Sequence, residues 1–134
     1  MRRVRNIVIH CTATSQKATV SGIVRFWKER NRWKSPGYHR IIKPDGEIVN
    51  LCSFDYPTNG VAGHNHNSIH ISFIGGLGGV DDRTDAQKAS ILECIREAVY
   101  YAPGATIKGH RDFPEVSKAC PSFNAKKEYA WITA

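Results

Sequence analysis

Apolar residues occur along the chain in two patterns, one typical of β-strands and one typical of helices, and together these predict an α/β fold. A short apolar run over residues 5–10 is rich in β-branched side chains and predicts a buried strand. Over 69–74, apolar residues alternate with polar ones, which predicts another strand. Apolar residues recur at helical spacing over 20–31 and 85–101. Strands that alternate with helices indicate one central mixed β-sheet flanked by helices.

Turn and capping residues mark the ends of these elements. Pro44, Asp45 and Gly46 form a turn signal between two strand-like runs, which predicts a hairpin. Thr84 and Gln87 have the spacing of a helix capping box. The other predicted elements are strands over 38–42, 47–51 and 106–109 and a final helix over 125–132. No linker or repeat divides the sequence, so we expect a single domain over residues 1–134.

Composition and charge narrow the class of protein. With 41% hydrophobic and 23% charged residues, the chain suits a globular protein with its own core. The apolar run after the first arginines is too short for a signal peptide, and no run approaches the length of a membrane span. We therefore expect synthesis in the cytoplasm, free thiols and no membrane insertion. The net charge of +7 favours polyanionic partners, or simply reflects a solvated surface.

Two histidines and a cysteine are candidates for a metal site. His10 ends one predicted strand and His110 directly follows another. Cys120 precedes a proline that favours extended backbone. Lys118, two residues before Cys120, is expected on the same side of that segment. Nitrogen and sulfur ligands suit Zn²⁺, and three protein ligands leave a position for water, as in catalytic sites. The spacing alone does not show that these residues converge, and buried structural roles remain the alternative.

Six short stretches, in this order and separation, form a specific pattern over nearly the whole chain. They are 7–14 (IVIHCTAT), 37–42 (GYHRII), 45–46 (DG), 65–69 (NHNSI), 109–112 (GHRD) and 118–123 (KACPSF). Together they resemble the zinc-dependent N-acetylmuramoyl-L-alanine amidases, particularly the short phage-lysozyme type related to peptidoglycan-recognition proteins. The resemblance implies that fold, one Zn²⁺ per chain, and hydrolysis of the amide between the lactyl group of N-acetylmuramic acid and L-alanine.

The resemblance also implies roles for particular residues. They are zinc ligation by His10, His110 and Cys120, catalysis by Tyr38 and Lys118, and substrate binding by His64. The remaining histidines and cysteines are expected to be structural. We expect His39 to point away from the face of Tyr38, His66 and His70 to lie at the surface, Cys11 to lie in the core opposite His10, and Cys52 and Cys94 to be core or partly buried thiols.

Two other functions remain open at this stage. One is a module that binds peptidoglycan without cutting it, although such family members typically lack the cysteine ligand that Cys120 matches. The other is a regulator, since a phage relative also binds and inhibits its phage's RNA polymerase. As an amidase, the protein is expected to be a monomer that reaches the cell wall after holin-type release or lysis. Its partner would be peptidoglycan or a muropeptide.

Overall fold

The computed structural model describes residues 2–132, and a five-stranded mixed sheet forms its centre. The strands are β1 (Asn6–Cys11), β2 (Arg40–Ile42), β3 (Ile48–Asn50), β4 (Ser68–Phe73) and β5 (Thr106–Gly109), in the spatial order β3-β2-β4-β1-β5. Strand β1 lies parallel to β4 and β5, and β2 lies parallel to β4. Among the strand pairs of residues 2–132, only the edge pair of β2 and β3 is antiparallel. The predicted mixed sheet and hairpin are confirmed, although β2 begins at Arg40 rather than at residue 38.

One face of the sheet is covered by the long helix α2 (Asp85–Tyr101). Its buried side chains pack on the inward residues of β1 and β4, in the main hydrophobic core. The predicted capping box is present: the Thr84 side chain accepts from the Gln87 backbone, and the Gln87 side chain accepts from the Thr84 backbone. The amide of Gln87 also donates to the carbonyls of Ile42 and Ile74 at 3.4 and 3.0 Å. This buried side chain therefore fastens the start of α2 to the ends of two strands.

The two other helices differ in part from the sequence predictions. Helix α1 (Val20–Glu29) buries only Trp27, because it lies along a cleft rather than flat on the sheet. Helix α3 (Ala125–Glu128) begins where predicted, with Asn124 as its cap, but a 3₁₀ turn follows over Ala130–Ile132. Within residues 2–132, no helix combines the length and the apolar character needed to cross a membrane.

The opposite face of the sheet carries the histidines. His10 lies on this face, whereas Cys11 points into the core with Ile7 and Ile9, as predicted. His39 is buried, and its ring packs against Phe54. His66 is exposed, as expected.

The prediction that His70 lies at the surface is wrong, because its side chain is fully buried. It belongs to β4, which has strands on both sides. The loop that precedes β4 folds over the ring, since a Cβ at Gly60 would lie only 2.3 Å from His70 Nδ1. The four cysteines carry free thiols; Cys11, Cys94 and Cys120 are buried and Cys52 is half-buried.

Candidate metal centre and active-site cleft

The parallel pairing of β1 and β5 brings two histidines to one edge of the sheet. The register places Ile9 opposite Gly109, so His10 and His110 follow side by side. Their ring centroids are 4.8 Å apart. The backbone N–H of Arg111 donates to the Cys120 carbonyl at 2.8 Å, which holds the cysteine-bearing segment beside the same edge. The structure thus brings together three residues that lie far apart in the sequence.

The ligand atoms of His10, His110 and Cys120 fit a metal ion with nitrogen and sulfur ligands. One such atom from each residue lies within 4.8 Å of the others. His10 Nδ1 is 3.9 Å from Cys120 Sγ. Tetrahedral Zn²⁺ with ordinary bond lengths would place these two atoms about 3.6 Å apart, so a small adjustment suffices. Three ligands leave the fourth position open, as in catalytic rather than structural zinc sites.

The surroundings favour neutral imidazoles that can offer lone pairs. Burial lowers the pKa of His10 well below its usual value, and neighbouring histidines add to this effect. Burial, with the nearby Lys118 charge, lowers the pKa of His110 to about 4. The hydrogen-bonded Cys11 thiol and burial raise the pKa of Cys120. A metal ion must therefore displace a proton from this thiol, although the Cys11 backbone N–H, 3.2 Å from Sγ, is placed to stabilise the thiolate.

The structure places Tyr38 and Lys118 next to the three candidate ligands. The Tyr38 ring lies 5.0 Å from the His10 ring and meets the Trp27 ring edge-on at 5.3 Å. Burial raises the pKa of Tyr38, so its hydroxyl remains a hydrogen-bond donor at neutral pH. Lys118 is exposed at the wall of the same cleft. Both side chains can therefore approach a substrate group near the ligand atoms.

A cleft of about 660 Å³ is lined at its floor by the three candidate ligands. This volume is typical of small-molecule sites. Helix α1 forms one wall with Ile23, Phe26 and Trp27, and Phe26 is 53% exposed. This apolar and aromatic wall offers a surface on which a substrate can pack beside the candidate ligands.

His64 lies outside the residues that line this cleft. Its ring packs on Phe113 with centroids 4.5 Å apart, and its Nε2 pairs with the carboxylate of Glu115. The hydrogen bond to His64 lowers the pKa of Glu115. The substrate-binding role of His64 therefore stays a prediction.

The sequence interpretation missed two residues that lie behind the candidate ligands. His70 Nδ1 is 2.8 Å from His10 Nε2, and His70 Nε2 is 2.9 Å from the side-chain oxygen of Asn65. The residue pattern held no local signal for them, because the burial of His70 follows from the parallel partners on both sides of β4, which the sequence does not show. The sequence alternation alone suggested a solvated face.

Three candidate ligands at the floor of a cleft, with room for a fourth group, are typical of a catalytic zinc site. The family model described as N-acetylmuramoyl-L-alanine amidase matches residues 1–123. The endolysin of Escherichia phage T7 is 32% identical over 130 residues, covering 90% of this chain and 82% of that protein.

Solved structures show the same fold. The Ph2119 endolysin from a Thermus scotoductus bacteriophage superposes with a TM-score of 0.86 at 20% identity, covering 100% of this chain and 87% of that chain. Drosophila PGRP-LB superposes with a TM-score of 0.81 at 19% identity, covering 99% of this chain and 84% of that chain. The chain belongs to the N-acetylmuramoyl-L-alanine amidase family, which makes it a hydrolase of peptidoglycan.

Proposed function

We propose that the protein cuts the amide between the lactyl group of N-acetylmuramic acid and L-alanine with one Zn²⁺ held by His10, His110 and Cys120. The observation that carries this proposal is the convergence of three ligand atoms within 4.8 Å at the floor of the cleft. When bound, Zn²⁺ supplies Lewis-acid polarisation of a carbonyl and lowers the pKa of a coordinated water to about 7.

Tyr38 and Lys118 are proposed to act on the reacting carbonyl group. Negative charge grows on the carbonyl oxygen as the amide is attacked, and donors aimed at that oxygen stabilise the transition state. The Tyr38 hydroxyl is 3.5 Å from the Cys11 carbonyl, a weak contact that it can exchange for the substrate. The Lys118 ammonium approaches from the exposed side of the cleft. Loss of one such donor typically lowers turnover by about 10²–10³-fold.

The cleft is proposed to hold the muropeptide, with the α1 wall packing against its apolar parts. Phe26 and Trp27 offer aromatic surface on that wall. We expect a monomer, made in the cytoplasm, that reaches the wall after holin-type release or lysis. Size-exclusion chromatography with light scattering tests the monomer, and lysis of cells only after permeabilisation tests the route.

Metal analysis tests the zinc site. The purified protein is expected to carry about one equivalent of Zn²⁺, and Cys120→Ser should lose metal and activity together. Cys52→Ser is the matched control, because Cys52 is a half-buried thiol outside the cleft. A fully active protein without zinc would contradict the proposal.

The cleaved bond is tested on purified peptidoglycan. Digestion is expected to release stem peptides with a new L-alanine amino terminus. Appearance of reducing sugars without such amines would instead indicate a glycosidase.

A further inference from the structure

A directed chain of hydrogen bonds lies behind His10, on the side away from Cys120. His10 Nδ1 faces Cys120 Sγ, and His10 Nε2 lies 2.8 Å from His70 Nδ1. His70 Nε2 lies 2.9 Å from Asn65 Oδ1. The same oxygen accepts the backbone N–H of Val61 at 2.8 Å. This row of hydrogen bonds therefore starts at a backbone amide and ends at the candidate metal centre.

The hydrogen bonds at Asn65 determine which ring nitrogens of His70 and His10 carry a hydrogen. Because Val61 N–H donates to the Asn65 side chain, the atom at that position is the amide oxygen, which is only an acceptor. His70 Nε2 must then carry the hydrogen. A neutral imidazole has one N–H, so His70 Nδ1 accepts, and the donor is His10 Nε2–H. This leaves the lone pair of His10 on Nδ1, the atom that faces Cys120.

The packing around His70 leaves little room for another arrangement. The side chain is fully buried, and its ring meets the His10 ring nearly edge-on with centroids 4.9 Å apart. A Cβ at Gly60 would come within 2.3 Å of His70 Nδ1, so the loop backbone presses against the ring. The backbone N–H of His70 donates to His39 Nδ1 at 3.0 Å. The loop at Gly60 and the His10 ring therefore fix the ring of His70, while the hydrogen bond to His39 separately fixes its backbone.

We propose that His70, oriented by Asn65, is a positioning residue that holds His10 in the Nε2–H tautomer with Nδ1 ready for the metal. A partner on the second ring nitrogen sets both the tautomer and the ring orientation of a metal-binding histidine, and its loss typically weakens metal affinity about 10–100-fold. The expected effect on zinc affinity rests on the proposed zinc function. The tautomer of His10 does not, because the same hydrogen bonds hold it in the metal-free protein.

Two substitutions at His70 separate positioning from packing. His70→Asn keeps an acceptor near the place of Nδ1, whereas His70→Phe keeps the ring volume and removes the acceptor. Zinc affinity, measured by competition with a chelator, is expected to fall about 10–100-fold in His70→Phe and to stay within a few-fold of wild type in His70→Asn. A purely structural role predicts the reverse order, and that order would overturn the proposal. If His70→Phe does not fold, a tenfold or larger loss in His70→Asn would overturn it as well.

Nitrogen-15 NMR of the metal-free wild-type protein tests the tautomer directly. The ring of His10 is expected to give the Nε2–H pattern, and the ring of His70 the same pattern. An Nδ1–H pattern at His10 would overturn the proposal. If the wild type binds no zinc, the proposed function fails, whereas this spectrum still decides the hydrogen-bond chain.

Discussion

Arg83 ties the segment that carries Cys120 to the start of α2, and its replacement by methionine is a stringent test of the fold. Its guanidinium donates to Asp81 at 2.8 and 3.0 Å and to Glu128 at 2.9 and 3.0 Å. It also lies 3.4 Å over the ring of Phe123. Its side chain is only 3% exposed. Arg83→Met retains most of the apolar stem and removes the charge.

The loss in free energy of unfolding caused by Arg83→Met depends on how deeply each partner is buried. Removal of one member of a buried ion pair costs about 3–5 kcal/mol when the other charge is left without solvent. Asp81 and Glu128 are 34% and 43% exposed, so water can solvate them after the change. A discounted cost of roughly 2–3 kcal/mol is therefore expected. For a domain of this size, the melting temperature should fall by about 6–12 °C.

The effect should depend on pH with a defined sign. Hydrogen bonds from Arg83 lower the pKa of Asp81 and of Glu128. In acid, the unfolded chain therefore binds more protons at these carboxyls than the folded protein does. At neutral pH both carboxylates are charged, and their full contribution to the free energy of unfolding is present. It is lost as the pH falls through about 4 and below the lowered pKa values. The difference in melting temperature between wild type and Arg83→Met should become smaller over the same pH range.

Thermal unfolding followed by circular dichroism at pH 7 and pH 3 measures both effects. Lys43→Met is the control, because Lys43 pairs with Glu47 at 3.0 Å but both side chains are well exposed. This variant should melt almost as the wild type does. An unchanged melting temperature in Arg83→Met at pH 7 would refute the reasoning. A difference in melting temperature from wild type that is as large at pH 3 as at pH 7 would refute it too.

Two further predictions concern the cleft. Tyr38→Phe and Lys118→Ala should fold and retain zinc, while turnover falls by roughly 10²-fold or more in at least one of them; normal turnover in both would remove these residues from the mechanism. His64→Ala is expected to raise KM through loss of a substrate contact, and initial rates on soluble muropeptide measure it. An unchanged KM would exclude His64 from binding.

Local sequence was sufficient where local interactions decide the structure. The apolar runs of β1 and β4 and the capping box of α2 depend on side chains a few residues apart, and all three were predicted. The candidate ligands were also identified, but their convergence was implied only by family resemblance. No spacing along the chain relates His10 to His110 until the parallel register places Ile9 opposite Gly109.

Tertiary structure alone decided which polar positions are buried. The pattern of β4 suggested that His70 faces solvent, yet the strand lies between β2 and β1 and the loop at Gly60 covers its ring. The apolar spacing of α1 predicted the helix, but only Trp27 is buried in it, because the helix forms the wall of a cleft. Periodicity reports which residues share a face, whereas strand order and the path of a loop determine what covers that face.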